Sequence, residues 1–374
     1  MPGALADLQI LDFSRVLAGP FATMVLGDLG AEVVKVERPG VGDETRTWGP
    51  PFDPDGEAAY FLSVNRNKRS IALDLTLSED LAVARSLARQ ADVVVENFRP
   101  GLMERHGLGY EDLRSENPRL IFCSITGFGH GEGAKLPGYD LLVQALGGLM
   151  SITGPADGDP QKVGVALVDV LAGLFAAVGI LAAVHHREQT GVGQRVDVTL
   201  LGSLLAALVN QGAAYTTAGE VPRRMGNEHP SISPYELFDT ADGPLVIAVG
   251  NDRQFSVLCE VLGASELSGD QRFATNPARV EHRRDLRVEL ERRLGARSAG
   301  QWAEALTNAR VPAGVVNDLA GAFRLAQSLG LDPIVSIRRE DGPGVPLTRN
   351  PITLSETPAE YRFTPPRLPE RGQA

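Results

Sequence analysis

Apolar residues come in short runs through the first half of the chain, and the runs alternate between two periods. Leu8–Phe13 (LQILDF) reads as a buried strand, and SRVLAGPFATMVLGDLGA after it repeats apolar residues at helical spacing. Pro20 near its first turn and Gly30 at its end are placed where a helix accepts them. AEVVKVERP returns to strand and stops at Pro39. The alternation continues with strand Ser70–Leu75, helix Ser78–Gln90, strand Asp92–Glu96, a short helix around Tyr110–Ser115 and strand Arg119–Thr126. Strand, helix and strand in this order predict parallel pairing through right-handed crossovers. The first half is therefore expected to be a doubly wound, Rossmann-like α/β domain.

The longest apolar run is Val163–Val184, VGVALVDVLAGLFAAVGILAAV, and its one polar side chain is Asp169. Such a carboxylate must find partners, hold a proton or do chemistry, because burying an unpaired charge costs on the order of several kcal/mol. Three readings fit the run. Its length suits a membrane span, although it is the only such run, is rich in Gly and Ala, and carries an acid that lipid penalises. A core strand leading into a buried helix would make Asp169 the N-cap at the junction, where backbone N–H groups and the helix dipole favour an anion. The third reading keeps that geometry and makes the desolvated carboxylate a nucleophile. His185-His186-Arg187 places positive charge where such a helix would end.

Farther on, Gln194–Thr199 alternates like a strand and Leu200–Ala214 reads as one apolar helix. From Arg223 the texture changes. RRMGNEHPSISPYELF is rich in turn formers, YELFDTADGPLVIAVG predicts a hairpin around Asp242-Gly243, and helices are expected over Asp252–Leu262, Val280–Leu294 and Ala299–Asn308. These make a second, smaller α+β domain. The tail after about Asp332 is Pro-rich, too short for a domain, and expected to pack on the first one. The division predicted is a large domain over 1–205, a linker over 206–224, a small domain over 225–318 and a return over 319–374.

Composition narrows the function. The 374 residues are 43% hydrophobic and 22% charged, with net charge −11, which disfavours wholesale nucleic-acid binding. Two cysteines, Cys123 and Cys259, form neither a disulfide framework nor a CxxC site, and the N-terminus lacks the basic-then-apolar pattern of a secretory signal. A cytoplasmic protein without a membrane anchor is expected. The turn after the first strand, DFSRVLAGPFA, has no GxGxxG, and no P-loop occurs, so dinucleotide binding in the usual mode is disfavoured. The histidines lie in no HExxH or CxxC context, so no metal site is expected, and no GxSxG elbow marks a serine hydrolase.

Basic residues collect near strand ends: Arg38 after the second strand, Arg66, Lys68 and Arg69 before the third, Arg99 and Arg105 after the fourth. Open α/β sheets place ligands beyond the C-terminal ends of their strands, so these cations either hold a phosphorylated ligand or are ordinary solvated charge. Asp140, in PGYDLLVQA, reads as a cap for a helix starting at Leu141.

LQILDFSRVLAGPFATMVLGDLGAEVVKVERPGVGDETR, SVNRNKRSIALDL, ADVVVENFRPG, SITGFG, GYDLLVQALGGLMSITG, VALVDVLAGLFAAVGILAAV and GNEHPSISPYELF together resemble the family III (CaiB/BaiF) CoA-transferases, in order and over essentially the whole chain. The resemblance implies an interlocked, ring-like homodimer whose large domain is completed by both ends of each chain. It implies that Asp169 is the nucleophile in CoA transfer between a donor acyl-CoA and an acceptor acid, with CoA as substrate and no permanently bound cofactor. It places Val16, Leu17 and Ala18 along the adenine–pantetheine path, Arg38 and Arg105 at the phosphates, Leu73, Asn97 and Phe98 nearby, and Tyr139 and Asp140 beside the thioester. The oxalate-using branch carries Gln where this chain has Leu17 and a glycine run where it has MGNEHP. The α-methylacyl-CoA racemase branch, the alternative, has a His-Asp pair where this chain has Tyr139-Asp140, and so lacks one acid/base group here. DETRTWGPPF, GPADGDP and RMGNEHPSISPY are most similar to the branch that uses succinyl-CoA and dicarboxylates such as glutarate, with Arg46 or Arg224 as candidates to meet a distal carboxylate.

Overall fold

The computed structural model describes residues 2–339 and 342–373. Its main sheet has six parallel strands: β1 (Gln9–Asp12), β2 (Glu32–Glu37), β3 (Lys68–Ala72), β4 (Val93–Glu96), β5 (Ile121–Thr126) and β6 (Arg195–Thr199). Their order is β3-β2-β1-β4-β5-β6, so the winding reverses beside β1 and a crevice opens beyond the C-terminal ends of β1 and β4. The helices of this half are α1 (Ala18–Asp28), α2 (Ala59–Val64), α3 (Ser78–Gln90), the single turn α4 (Leu102–Arg105), α5 (Tyr110–Glu116), α6 (Asp140–Leu146), α8 (Leu167–Thr190), α9 (Leu200–Ala207) and α10 (Val209–Ala218); the single turn α7 (Leu149–Ile152) falls where the chain passes out of it.

Both faces of the sheet are covered, which is why its strands are apolar on both sides. On one face Ala22, Leu26, Ala172, Ala176, Ile180 and Leu204 from α1, α8 and α9 pack against Val93, Val95 and Ile125. On the other, Ala84, Ala88, Tyr110 and Leu113 from α3 and α5 pack against Val94 and Phe122. The chain clusters into two compact units, one of residues 1–149, 162–220 and 332–374, the other of 150–161 and 221–331.

Several expectations are corrected. No strand precedes α8: residues 163–166 are irregular, and the helix begins at Leu167 with Ala166 at its N-cap, so Asp169 is its third residue rather than the cap. The apolar run is thus a single helix whose Val168, Ala172, Ala176 and Ala183 are buried in the core against the sheet, and it is long and apolar enough to meet a span's length and composition test as well. Leu200–Ala214 is two helices, broken at Leu208–Val209, where Val209 takes φ 43°. The first helix starts at Ala18, four residues after Ser14, because Ser14–Leu17 form a turn instead.

Inside the large unit the tail is tied to the front of the chain. The Asp28 carboxylate accepts from Arg66 Nε (2.9 Å) and Nη2 (2.6 Å), Asn67 Nδ2 (2.8 Å) and Asn350 Nδ2 (3.0 Å). Asn67 in turn accepts from the N–H of Arg362 (2.7 Å) and Phe363 (3.1 Å). A hairpin of β10 (Ile334–Ile337) and β11 (Val345–Thr348) adds Ile337, Val345 and Leu347 to a small cluster around Leu62. The small unit has its own antiparallel sheet of β7 (Tyr235–Asp239), β8 (Pro244–Ala248) and β9 (Ala313–Val315), with Phe238, Leu258, Leu290 and Trp302 in a separate core.

Candidate active site

The turn after β1 borders a cavity of about 210 Å³ that also receives the first turn of α8. Val16, Leu17 and Ala18 form one wall, Asn97 and Phe98 from the end of β4 a second, and Gly127 with Gly138 a third. The two glycines approach so closely that a Cβ on Gly127 would lie 2.5 Å from the Gly138 Cα. Tyr139, largely exposed, and Asp169 complete the far end.

Asp140 is the first residue of α6, and its carboxylate caps another helix. Oδ1 accepts from the N–H of Val168 (2.8 Å) and of Asp169 (3.3 Å), while Oδ2 accepts from Gln144 Nε2 (2.6 Å). Gln144 Oε1 then takes the Val163 N–H (2.9 Å), fixing the irregular lead into α8. A carboxylate beside free N–H groups at a helix start is a stabilising arrangement. Here it is supplied from a different helix, and Asp169 is left pointing at the cavity. Burial, and secondly the Asp140 charge, push the Asp169 acid up to about 7. Tyr60 on α2 lies within the field of both acids: burial, then Asp169 and Asp140, push its phenol up to about 12, so it stays protonated. Its ring meets Trp48 edge-on, with centroids 5.3 Å apart.

Of the residues expected to contact CoA, Val16, Leu17, Ala18, Asn97 and Phe98 share this cavity with Asp169 and Tyr139. Arg38, Leu73 and Arg105 do not line it. Arg38 and Arg105 are exposed at the ends of β2 and α4, and Leu73 is a core residue whose N–H donates to the Glu37 carbonyl (2.8 Å). Arg46 is not available to a substrate carboxylate. Its Nε and Nη2 donate to Glu37 (2.8 and 2.7 Å), Nη2 also reaches the Pro366 carbonyl (3.0 Å), and the guanidinium lies 3.7 Å from the Phe61 ring centroid. Arg224 belongs to the small unit, where Nη1 donates to the Ser151 carbonyl (3.4 Å). Sequence reasoning passed over Arg15, Glu44 and Tyr60. Arg15 and Glu44 line the cavity and pair with each other (2.8 Å). Arg15 lies three residues beyond the end of β1, and the strand-end rule that singled out Arg38 extends to it.

The chain matches the family model for CoA-transferase family III over residues 5–372. It is 45% identical over 372 residues to a succinate–glutarate CoA-transferase of Agrobacterium fabrum, covering 98% of this chain and 93% of that one. It is 43% identical to a succinyl-CoA:mesaconate CoA-transferase of Haloarcula hispanica, over 95% of this chain and 91% of the other. The crystal structure of a CaiB/BaiF family protein from Brucella suis superposes with a TM-score of 0.87 at 43% identity, covering 98% of this chain and 97% of that one.

Proposed function

The chain belongs to CoA-transferase family III and is a CoA-transferase, and from that premise we propose that it carries CoA from succinyl-CoA to a small dicarboxylic acid through Asp169. Relatives named for glutarate and for mesaconate support the substrate class. The observation that carries the residue assignment is a carboxylate in the first turn of α8, aimed into a cavity and with its acid raised to about 7.

In this reading an Asp169 carboxylate oxygen attacks the thioester carbonyl of succinyl-CoA. The C–S bond breaks, leaving a mixed anhydride and CoA thiolate. The thiolate attacks the Asp169 carbonyl carbon of the anhydride, succinate leaves, and an aspartyl-CoA thioester remains. The acceptor carboxylate attacks that thioester and expels the thiolate, which then attacks the acyl carbonyl of the second anhydride. New acyl-CoA leaves and the Asp169 carboxylate is restored. No net proton moves, so the site needs no dedicated acid or base. It needs an anionic Asp169 and little water, since anhydride and thioester both hydrolyse. Asp140 supports this by holding the α8 N-terminus rather than by reacting, with both its oxygens already accepting protein N–H groups.

The assembly belongs to the same reading. Leu174, Phe175 and Val178 leave an apolar face of α8 exposed in the single chain, which an interlocked second copy would cover. Two buried, unpaired cysteines suit a reducing, cytoplasmic setting. The test is thioester exchange followed by mass spectrometry, with succinyl-CoA, a panel of acids that includes glutarate, mesaconate and oxalate, and Asp169→Ala alongside. New acyl-CoA species that vanish in the variant are expected. Exchange that survives Asp169→Ala would overturn the assignment of the nucleophile. Light scattering of the native protein checks the dimer.

A further inference from the structure

We propose that Asn97 and Asp43 are positioning residues that hold the Ser14–Val16 turn in a strained form, and so set the wall of the cavity facing Asp169. The proposal rests on reading that cavity as the active site.

Three consecutive residues of this turn are each gripped by a side chain from elsewhere in the chain. Lys35 Nζ, fully buried on β2, donates to the Ser14 carbonyl (2.8 Å). Asn97, just beyond β4, engages both polar groups of the next residue: Oδ1 accepts the Arg15 N–H (2.9 Å) and Nδ2 donates to the Arg15 carbonyl (2.8 Å). Asp43 accepts the Val16 N–H on both oxygens (3.3 and 3.2 Å) while also receiving Lys35 Nζ (3.0 Å) and the Thr45 N–H (3.0 Å). Burial opposes the Asp43 charge, but Lys35 and Thr45 outweigh it and hold the acid below its ordinary range.

Such a grip has something to resist. Val16 sits at φ 68°, in the left-handed region that β-branched residues avoid most strongly. A residue stays in such a conformation only where its surroundings over-determine it. The strain lies one residue before Leu17 and Ala18, which line the cavity. Ala18 also packs against α8: a Cβ on Gly173, one helical turn beyond Asp169, would lie 2.6 Å from the Ala18 carbonyl oxygen. A relaxed Val16 would therefore swing the start of α1 relative to the nucleophile. Asn97, expected to touch CoA, has both ends of its amide occupied by Arg15, so its contribution to the reaction runs through the backbone it holds.

The experiment compares wild type, Asn97→Ala, Val16→Gly, the Asn97→Ala/Val16→Gly double variant and Asp169→Ala for succinyl-CoA exchange, with unfolding midpoints for each. Asn97→Ala is expected to lower kcat about 10- to 100-fold with little change in the KM for succinyl-CoA. Glycine adopts φ near 68° without strain. Adding Val16→Gly to Asn97→Ala is therefore expected to recover kcat by roughly fivefold or more. Asp43→Asn, which keeps an acceptor but removes the charge, should show the same rescue. A raised KM with unchanged kcat, or no rescue by glycine, would overturn the proposal and make Asn97 a direct CoA contact. Exchange persisting in Asp169→Ala would overturn the reading of the cavity, and the proposal with it. Should Asn97→Ala not fold, Asn97→Asp, which keeps the acceptor for the Arg15 N–H and loses the donor, carries the same comparison.

Discussion

Asp169 lies where opposing effects meet. Its place in the first turn of α8 favours an anion, while burial and the Asp140 charge favour the acid and hold it near about 7. The attacking form is then a minority below neutral pH, and exchange is expected to rise as pH passes through that value. Asp140→Asn removes the neighbouring charge but not the burial. The midpoint of the pH–rate profile should move to lower pH and remain above an ordinary carboxylate. A midpoint that stays put would mean Asp140 is not felt. The same raised acid affects stability. Its folded value exceeds the unfolded 3.8, so its contribution is present below about pH 4 and is lost as pH rises through about 7. Asp169→Asn is therefore expected to raise the unfolding midpoint at pH 8, by an effect on the order of 1 kcal/mol, and to change it little at pH 4. Equal midpoints at pH 8 would show that the native carboxylate costs nothing.

Among the elements, the contact between α1 and α8 decides whether a site exists, because it brings Ala18 beside the turn that carries Asp169. Gly173 permits the approach, and the atom its Cβ would meet is backbone, which cannot rotate aside. Gly173→Val is expected to cost about 1–3 kcal/mol and to lose exchange beyond what the loss of folded protein explains. Activity per folded molecule, with stability from a denaturant melt, checks it. Element types were largely legible from periodicity: the helix over Ser78–Gln90 runs between the expected residues, and β4 and β5 fall inside their predicted runs. One misreading has a long-range cause. Ser14–Leu17 have helical spacing but are held as a turn by Asn97, Asp43 and Lys35, partners up to 82 positions distant. The break at Leu208–Val209 carries no glycine or proline, and nothing in the structure explains it.

For the whole molecule, the return of the C-terminal segment closes the large unit. Asp28, fully buried, relies on Asn350 as well as Arg66 and Asn67, and Asn67 relies on the backbone of Arg362 and Phe363. A chain ended at Leu331 would take the Asn350 amide from Asp28 and the Arg362 and Phe363 N–H groups from Asn67, a heavier penalty than the loss of apolar contacts alone. Such a chain is expected to show no cooperative thermal transition by circular dichroism, and the single change Asn350→Ala to cost about 1–3 kcal/mol. A sharp transition in the truncated protein would show that the tail is dispensable.

What the sequence determined by itself follows from local rules. Apolar spacing marks strands and helices, turn formers mark their ends, and an acid alone in an apolar run marks Asp169 as a residue with a purpose. Blocks such as VALVDVLAGL carry the family resemblance, and with it the type of chemistry. Tertiary structure alone decided which polar groups are spent and which are free. Arg46 reads as a cation for a substrate until Glu37 is found beside it, and Asp140 reads as a cap for its own helix until it is found capping α8. Asn97 reads as a ligand contact until Arg15 is found on both ends of its amide. The physical reason is that hydrogen bonds and ion pairs between distant residues depend on which strands end side by side. That order, β3-β2-β1-β4-β5-β6, is a property of the folded sheet and not of spacing along the chain.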